Sequence, residues 1–134
     1  MEKVVAEIYF TGNNYCGHVP ILPGCVSTGN TIEEMEQHLK DGVAAHIELS
    51  LEDGDPIPDI FKGEYELVFK LSAEALLNAY SGIFTKAALS RITGINERQL
   101  WHYAAGMKKP RPKQLKRIED GIHKLGRELI AVTL

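Results

Sequence analysis

Three groups of residues in this 134-residue sequence carry side chains capable of chemistry. Cys16, His18 and Cys25 lie close together near the start of the chain. Thiolates and imidazoles ligate zinc, but a structural zinc site takes four ligands, usually in paired short spacings, and these three do not make that set. Small buried thiols in strands are the expectation, with no metal and no cofactor. The second group is Glu7 with the histidines His38 and His46. Metal-dependent phosphodiester cleavage needs several inward carboxylates to grip two ions. Glu7 falls on the first predicted strand, the second strand offers only His18, and the third carries no carboxylate. No catalytic residue is assigned, and His38 and His46 read as surface or packing residues.

The third group is the richest. Asn96, Glu97, Arg98, Gln99, Trp101 and His102 stand together, and Lys108-Lys109-Pro110-Arg111-Pro112-Lys113 follows. An arginine can bond a guanine edge in two places. Lysines and arginines beside a helix that enters a DNA groove neutralise phosphates and supply salt-dependent affinity. The chemistry of this group is recognition of nucleic acid.

The elements that must position these residues follow from pattern. Residues 3–10 are dominated by β-branched and aromatic side chains and predict a strand. Gly12-Asn13-Asn14 is turn chemistry, residues 15–19 form a second strand, Pro20 and Pro23-Gly24 break it, and residues 25–28 form a third. Thr31 caps a helix, with Glu34 three residues on in capping-box position. Ile32, Met35, Leu39, Val43, Ile47 and Leu51 give that helix one apolar face. The prolines of residues 53–58 make a loop, and residues 65–71 a fourth strand. Three short-turned strands predict an antiparallel meander, with the helix on one sheet face.

Composition changes at residue 72. Ser72 caps a helix expected to reach Gly82. Thr85 caps a second over residues 86–93, Gly94 supplies a positive-φ turn, Ile95 plugs the angle, and Asn96 caps a third that ends at Gly106. Two helices joined by a glycine turn predict a helix-turn-helix whose second helix enters the major groove. Leu89, Ile92, Ile95, Leu100 and Tyr103 are its inner contacts, with Ser90 small at the crossing. A last helix, residues 112–126, carries Leu115, Ile118, Ile122 and Leu125 as a core stripe, and residues 128–134 predict a strand that pairs with its own domain or a second subunit. The fold class is α+β: a βββαβ domain over residues 1–71, then a small all-α domain over residues 72–134.

Charge divides at the same place. Residues 1–70 hold thirteen acids and four bases, a net −9; residues 71–134 hold five acids and eleven bases, a net +6. Opposite potentials on two halves predict two different partners. No run approaches the ~18 apolar residues of a membrane-spanning helix. Glu2, Lys3 and Glu7 interrupt the first apolar run, so no secretory signal is read there and a cytoplasmic location is expected.

Residues 20–35, Pro-Ile-Leu-Pro-Gly-Cys-Val-Ser-Thr-Gly-Asn-Thr-Ile-Glu-Glu-Met, resemble the signature of the HicB antitoxin family, and residues 51–58 resemble the end of its helix. The C-terminal stretch resembles the Cro/repressor type of helix-turn-helix, including Gly106 and Lys109-Pro110. Val19 stands where the family commonly has an aromatic, and Ile21 where it has an aspartate. The resemblance implies a partial RNase H-like N-terminal fold and a partner of the HicA type, an RNA-cleaving toxin with a double-stranded-RNA-binding fold. It also implies a role as antitoxin and repressor of its own operon, with no enzymatic activity. Pro20, Ile21, Leu22, Pro23 and Gly24 are the expected partner-binding loop, double-stranded operator DNA the second partner, and a homodimer or dimer of dimers the expected assembly. A stand-alone transcriptional regulator with a ligand-sensing N-terminal domain is the other reading of the same sequence.

Overall fold

The computed structural model describes all residues, Met1 to Leu134, and divides into two units, Met1–Ala75 and Leu76–Leu134.

In the first unit, strand β1 (Glu2–Phe10) lies inside a four-stranded sheet ordered β3-β2-β1-β4. β2 (Tyr15–His18) pairs antiparallel with β1 and with β3 (Val26–Gly29), which is the expected meander. β4 (Tyr65–Leu71) pairs parallel with β1 along seven residue pairs, Glu2 with Tyr65 through Ile8 with Leu71. A parallel neighbour requires a crossover, and helix α1 (Ile32–Asp53) with a short 3-10 helix (Asp59–Lys62) provides it. Alternation along β1 buries Val4, Ala6 and Ile8 and turns Lys3, Val5 and Tyr9 to solvent.

α1 begins where capping predicts. Thr31 has extended backbone, and its side chain accepts from the Glu34 amide at 3.0 Å. Met35, Leu39 and Val43 are buried over β2 and β3. Gly17 in β2 admits them: a β-carbon there would lie 2.8 Å from the Met35 methyl group. Leu51, expected on the same face, is instead exposed, and Ser50 is buried. The reason is angular: each step of four residues advances about 40° beyond a full turn, so by Leu51 the spacing has rotated roughly 160° from Met35, and Ser50 holds the inward position instead. Phe61, from the 3-10 helix, closes the core and meets Tyr65 edge-on at 5.0 Å between centroids.

The division between the units falls inside α2 (Ala73–Ala79), which Ser72 caps through the Ala75 amide at 3.1 Å. α2 stops at Ala79, short of the expected Gly82, and a turn follows. In the second unit α3 (Lys86–Thr93) and α4 (Glu97–Ala104) have the boundaries their caps dictate. Thr85 accepts from Ala88 at 3.0 Å, Asn96 accepts from Gln99 at 2.8 Å, and Gly94 between them has φ +75°. Leu77, Leu89, Ile95, Leu100, Tyr103 and Ile118 are buried. Each such side chain contributes roughly 1.5–3 kcal/mol by leaving water.

α5 (Pro112–Ile130) packs on α3 but departs from expectation twice. It continues through Gly126 to Ile130, and residues 131–134 form no strand. Only Ile118 and Gly121 are fully buried, while Leu115 is exposed and Ile122 and Leu125 are half-buried. A helix crossing another at one point buries the residues within a turn of the crossing, and the stripe beyond it stays open. No helix of the chain is long and apolar enough to cross a membrane.

Candidate functional site

Two surfaces collect the residues singled out in the sequence, one in each unit. The first is the loop between β2 and β3. It is two consecutive tight turns: the Leu22 amide donates to the Val19 carbonyl at 2.9 Å, and the Cys25 amide to the Leu22 carbonyl at 3.1 Å. The Val19 amide in turn donates to the Cys25 carbonyl at 3.3 Å, closing the knuckle. Val19 and Cys25, expected at strand ends, are therefore the buried feet of the loop. Leu22 is only 3% exposed and is an anchor of the loop, not part of its outer surface. Pro20, Ile21 (47% exposed), Pro23 and Gly24 (φ +88°) face outward. The rigid double turn holds one apolar side chain, Ile21, at its tip.

Glu7 and His18 are direct partners in the β1–β2 register. The Tyr9 hydroxyl donates to the Glu7 carboxylate, His18 Nε2 stands 3.6 Å from the same oxygen, and the Tyr9 and His18 rings stack at 5.8 Å. The hydrogen bond to Glu7, helped by partial burial, raises the Tyr9 phenol above its ordinary range. Glu7 thus meets a phenol and an imidazole here. His38 lies on α1 with Nδ1 2.6 Å from the Thr28 carbonyl, a local tie between helix and strand. Cys16 and Cys25 are free thiols, and burial pushes the Cys25 thiol up.

The second surface is the outer side of α4. Glu97, Arg98 and Trp101 are exposed along it, while Leu100 and Tyr103 point inward. Asn96 spends its side-chain oxygen on the cap, and Gln99 donates from Nε2 to the Tyr103 hydroxyl at 2.9 Å, so both are partly engaged in holding the helix. His102 is half-buried, with Nδ1 shielded from solvent and lacking a hydrogen-bond partner. Lys108, Lys109 and Arg111 are all exposed just beyond α4. Asn78 Nδ2 donates to the Ala104 carbonyl at 2.8 Å and ties the end of α4 to the end of α2.

One side-chain pairing on this surface is not visible in the sequence. Lys86, the first residue of α3, is only 8% exposed, and its Nζ sits 4.6 Å from the Trp101 ring centroid. A cation in a helix's first turn opposes the dipole by about 0.3–1 kcal/mol. A desolvated ammonium over an indole is worth about 2 kcal/mol, which outweighs that cost. A lysine in that unfavourable position was the available signal. Trp101 itself remains 59% exposed.

The arrangement defines a mixed α+β protein, with a four-stranded sheet and five helices, that joins an acidic unit with an outward loop to a basic helical unit. Residues 5–66, which span most of the first unit, match the family described as HicB_like antitoxin of bacterial toxin-antitoxin system. A relative described as an uncharacterized 14.9 kDa protein in the rep-hol intergenic region of Haemophilus phage HP1 (strain HP1c1) is 39% identical over 46 residues. That match covers 34% of this chain and 35% of the relative, about a third of each. A chain from the HicA3 and HicB3 toxin-antitoxin complex is 24% identical with a TM-score of 0.37, covering 46% of this chain and 92% of that one.

Proposed function

We propose that this chain is an antitoxin whose first unit occupies a small basic RNA-cleaving toxin of the HicA type, and whose second unit represses its own operon by binding duplex DNA. The match of residues 5–66 to an antitoxin family carries the first half. Charge supports it: a toxin that holds RNA presents cationic surface, and residues 1–70 carry a net −9. The outward face of residues 20–24 is the proposed centre of the contact, with Ile21 as the apolar anchor and the net negative charge of the unit steering approach.

For the second half, α3 and α4 are the helix-turn-helix, α4 the helix that enters the major groove. Arg98 is the base-reading residue and Lys108, Lys109 and Arg111 are the phosphate contacts. The first unit is read as a partial RNase H-like fold that has kept the architecture without catalysis. Two copies would present two α4 helices to half-sites about 34–36 Å apart. Leu129 and Ile130 at the open end of α5, with Val132 just beyond it, are the apolar surface offered to a second copy.

The deciding experiment is co-expression with the small basic product of the neighbouring reading frame. Rescue of growth and a co-purifying complex are expected. A toxin that arrests growth in the presence of this chain, with no complex formed, overturns the antitoxin reading.

A further inference from the structure

Trp101 and Lys86 form a unit that the proposed DNA contacts do not explain. Lys86 is buried, its ammonium lies over one face of the indole, and the four ion pairs of the molecule involve other residues. The indole is large, apolar and still mostly exposed, on the same outer face of α4 as Arg98. An indole on a solvated helix face rotates about two side-chain bonds; a fixed cation on one ring face selects one orientation and leaves the rest of the ring pointing outward.

We infer that Trp101 is a specificity residue that packs on the C5-methyl group of a thymine, and that Lys86 is the positioning residue that holds it there. The inference rests on the DNA-binding reading above. In the major groove thymine is the base that presents a methyl group, and apolar side chains contact it. Three residues along α4 separate Arg98 from Trp101, a rise of about 4.5 Å. The thymine therefore belongs about one base pair from the guanine that Arg98 reads. A lysine dedicated to phosphate would reach into solvent; this one is turned against the ring.

The test uses the full chain and the duplex upstream of its own reading frame, prepared once with thymidine triphosphate and once with deoxyuridine triphosphate. The second duplex lacks every thymine methyl. The wild-type chain should bind it about fourfold more weakly per half-site contacted, the equivalent of roughly 0.8 kcal/mol for one buried carbon group. Trp101→Ala should bind both duplexes equally. Lys86→Met should lose most of the discrimination and Lys86→Arg, which keeps a cation over the ring, should retain it.

Because Trp101 is the sole tryptophan, its fluorescence reports the pair without DNA. Lys86→Met should shift the emission and raise acrylamide quenching with the far-ultraviolet circular dichroism unchanged, while Lys86→Arg should not. Equal wild-type affinity for both duplexes overturns the thymine contact and leaves DNA binding standing. No binding to either duplex overturns both. Full discrimination in Lys86→Met, or an unchanged emission, overturns the role of Lys86.

Discussion

Gly121 of α5 lies directly against the Ile92 carbonyl of α3: a β-carbon at residue 121 would stand 2.3 Å from that oxygen. Backbone, not a pliable side chain, is what the added carbon would meet.

Two glycines of one helix therefore predict opposite signs. Alanine in a helix interior is favoured over glycine by about 1 kcal/mol, but overpacking typically costs about 1–3 kcal/mol, and the unyielding α3 backbone at Ile92 and Thr93 puts Gly121 at the upper end. Gly121→Ala should destabilise the second unit by about 1–2 kcal/mol net. Gly126→Ala, whose β-carbon would meet nothing within 4 Å, should stabilise it by a fraction of about 1 kcal/mol. Denaturant unfolding followed by Trp101 fluorescence separates the two; equal effects would mean the crossing is looser than described.

Neighbouring residues of the β2–β3 loop should divide stability from recognition. Leu22→Ala empties a buried site and should cost about 2–5 kcal/mol. Ile21→Lys changes an exposed tip and should alter stability by no more than about 0.5 kcal/mol, yet it replaces the apolar anchor with a charge that a cationic partner repels and should reduce capture of the toxin about tenfold. Thermal melts beside a pull-down read both. A destabilised Ile21→Lys would place that side chain in the core.

The first unit should weaken in alkali. Burial raises the Tyr15 phenol and the Cys25 thiol, and the Glu7 hydrogen bond with burial raises Tyr9. Each group is neutral when protonated, and its folded value lies above its unfolded one. Its contribution to stability is complete below the ordinary thiol and phenol ranges and is lost as pH climbs through the raised values. Unfolding midpoints should be level through neutral pH and fall in the alkaline range. In Glu7→Gln, ultraviolet titration should show one tyrosine ionising at lower pH; no change would remove Glu7 as the cause.

For DNA, Arg98→Ala should cost about 1–3 kcal/mol and relax preference at one base position, whereas Lys109→Ala should weaken all sequences alike and lower the salt slope by about one. Gel shifts at several salt concentrations distinguish them. Identical behaviour of both variants with wild type would take α4 out of the interface.

The parts legible in the sequence were those fixed locally. Thr31, Ser72, Thr85 and Asn96 each use their side chains as caps, and Gly94 takes the left-handed turn, because these conformations depend on a few adjacent residues. What escaped depends on distant neighbours or on propagation. Gly126 resembles a helix stop, yet an established helix adds residues at little cost, and Arg127, Glu128 and Leu129 are good helix formers, so α5 ran on through a segment whose composition favours strand. Leu51 continues the four-residue spacing, but that spacing drifts round the helix, and Ser50 takes the inward position in its place. Leu22 sits in a motif that looks like surface, and only the double turn shows that it points inward. Lys86 and Trp101 are fifteen residues apart, and nothing in spacing pairs them.

The parallel seam between β1 and β4 sets an order of events for the newborn chain. Its first nine-residue strand waits until residues 65–71 have left the ribosome before its second edge is covered. Closing so wide a loop is slow compared with forming α1, which is local. Translation that halts before Tyr65 would leave that edge of β1 with unpaired amides and carbonyls, an open template for another strand. Residues 65–71 close that edge and complete the sheet.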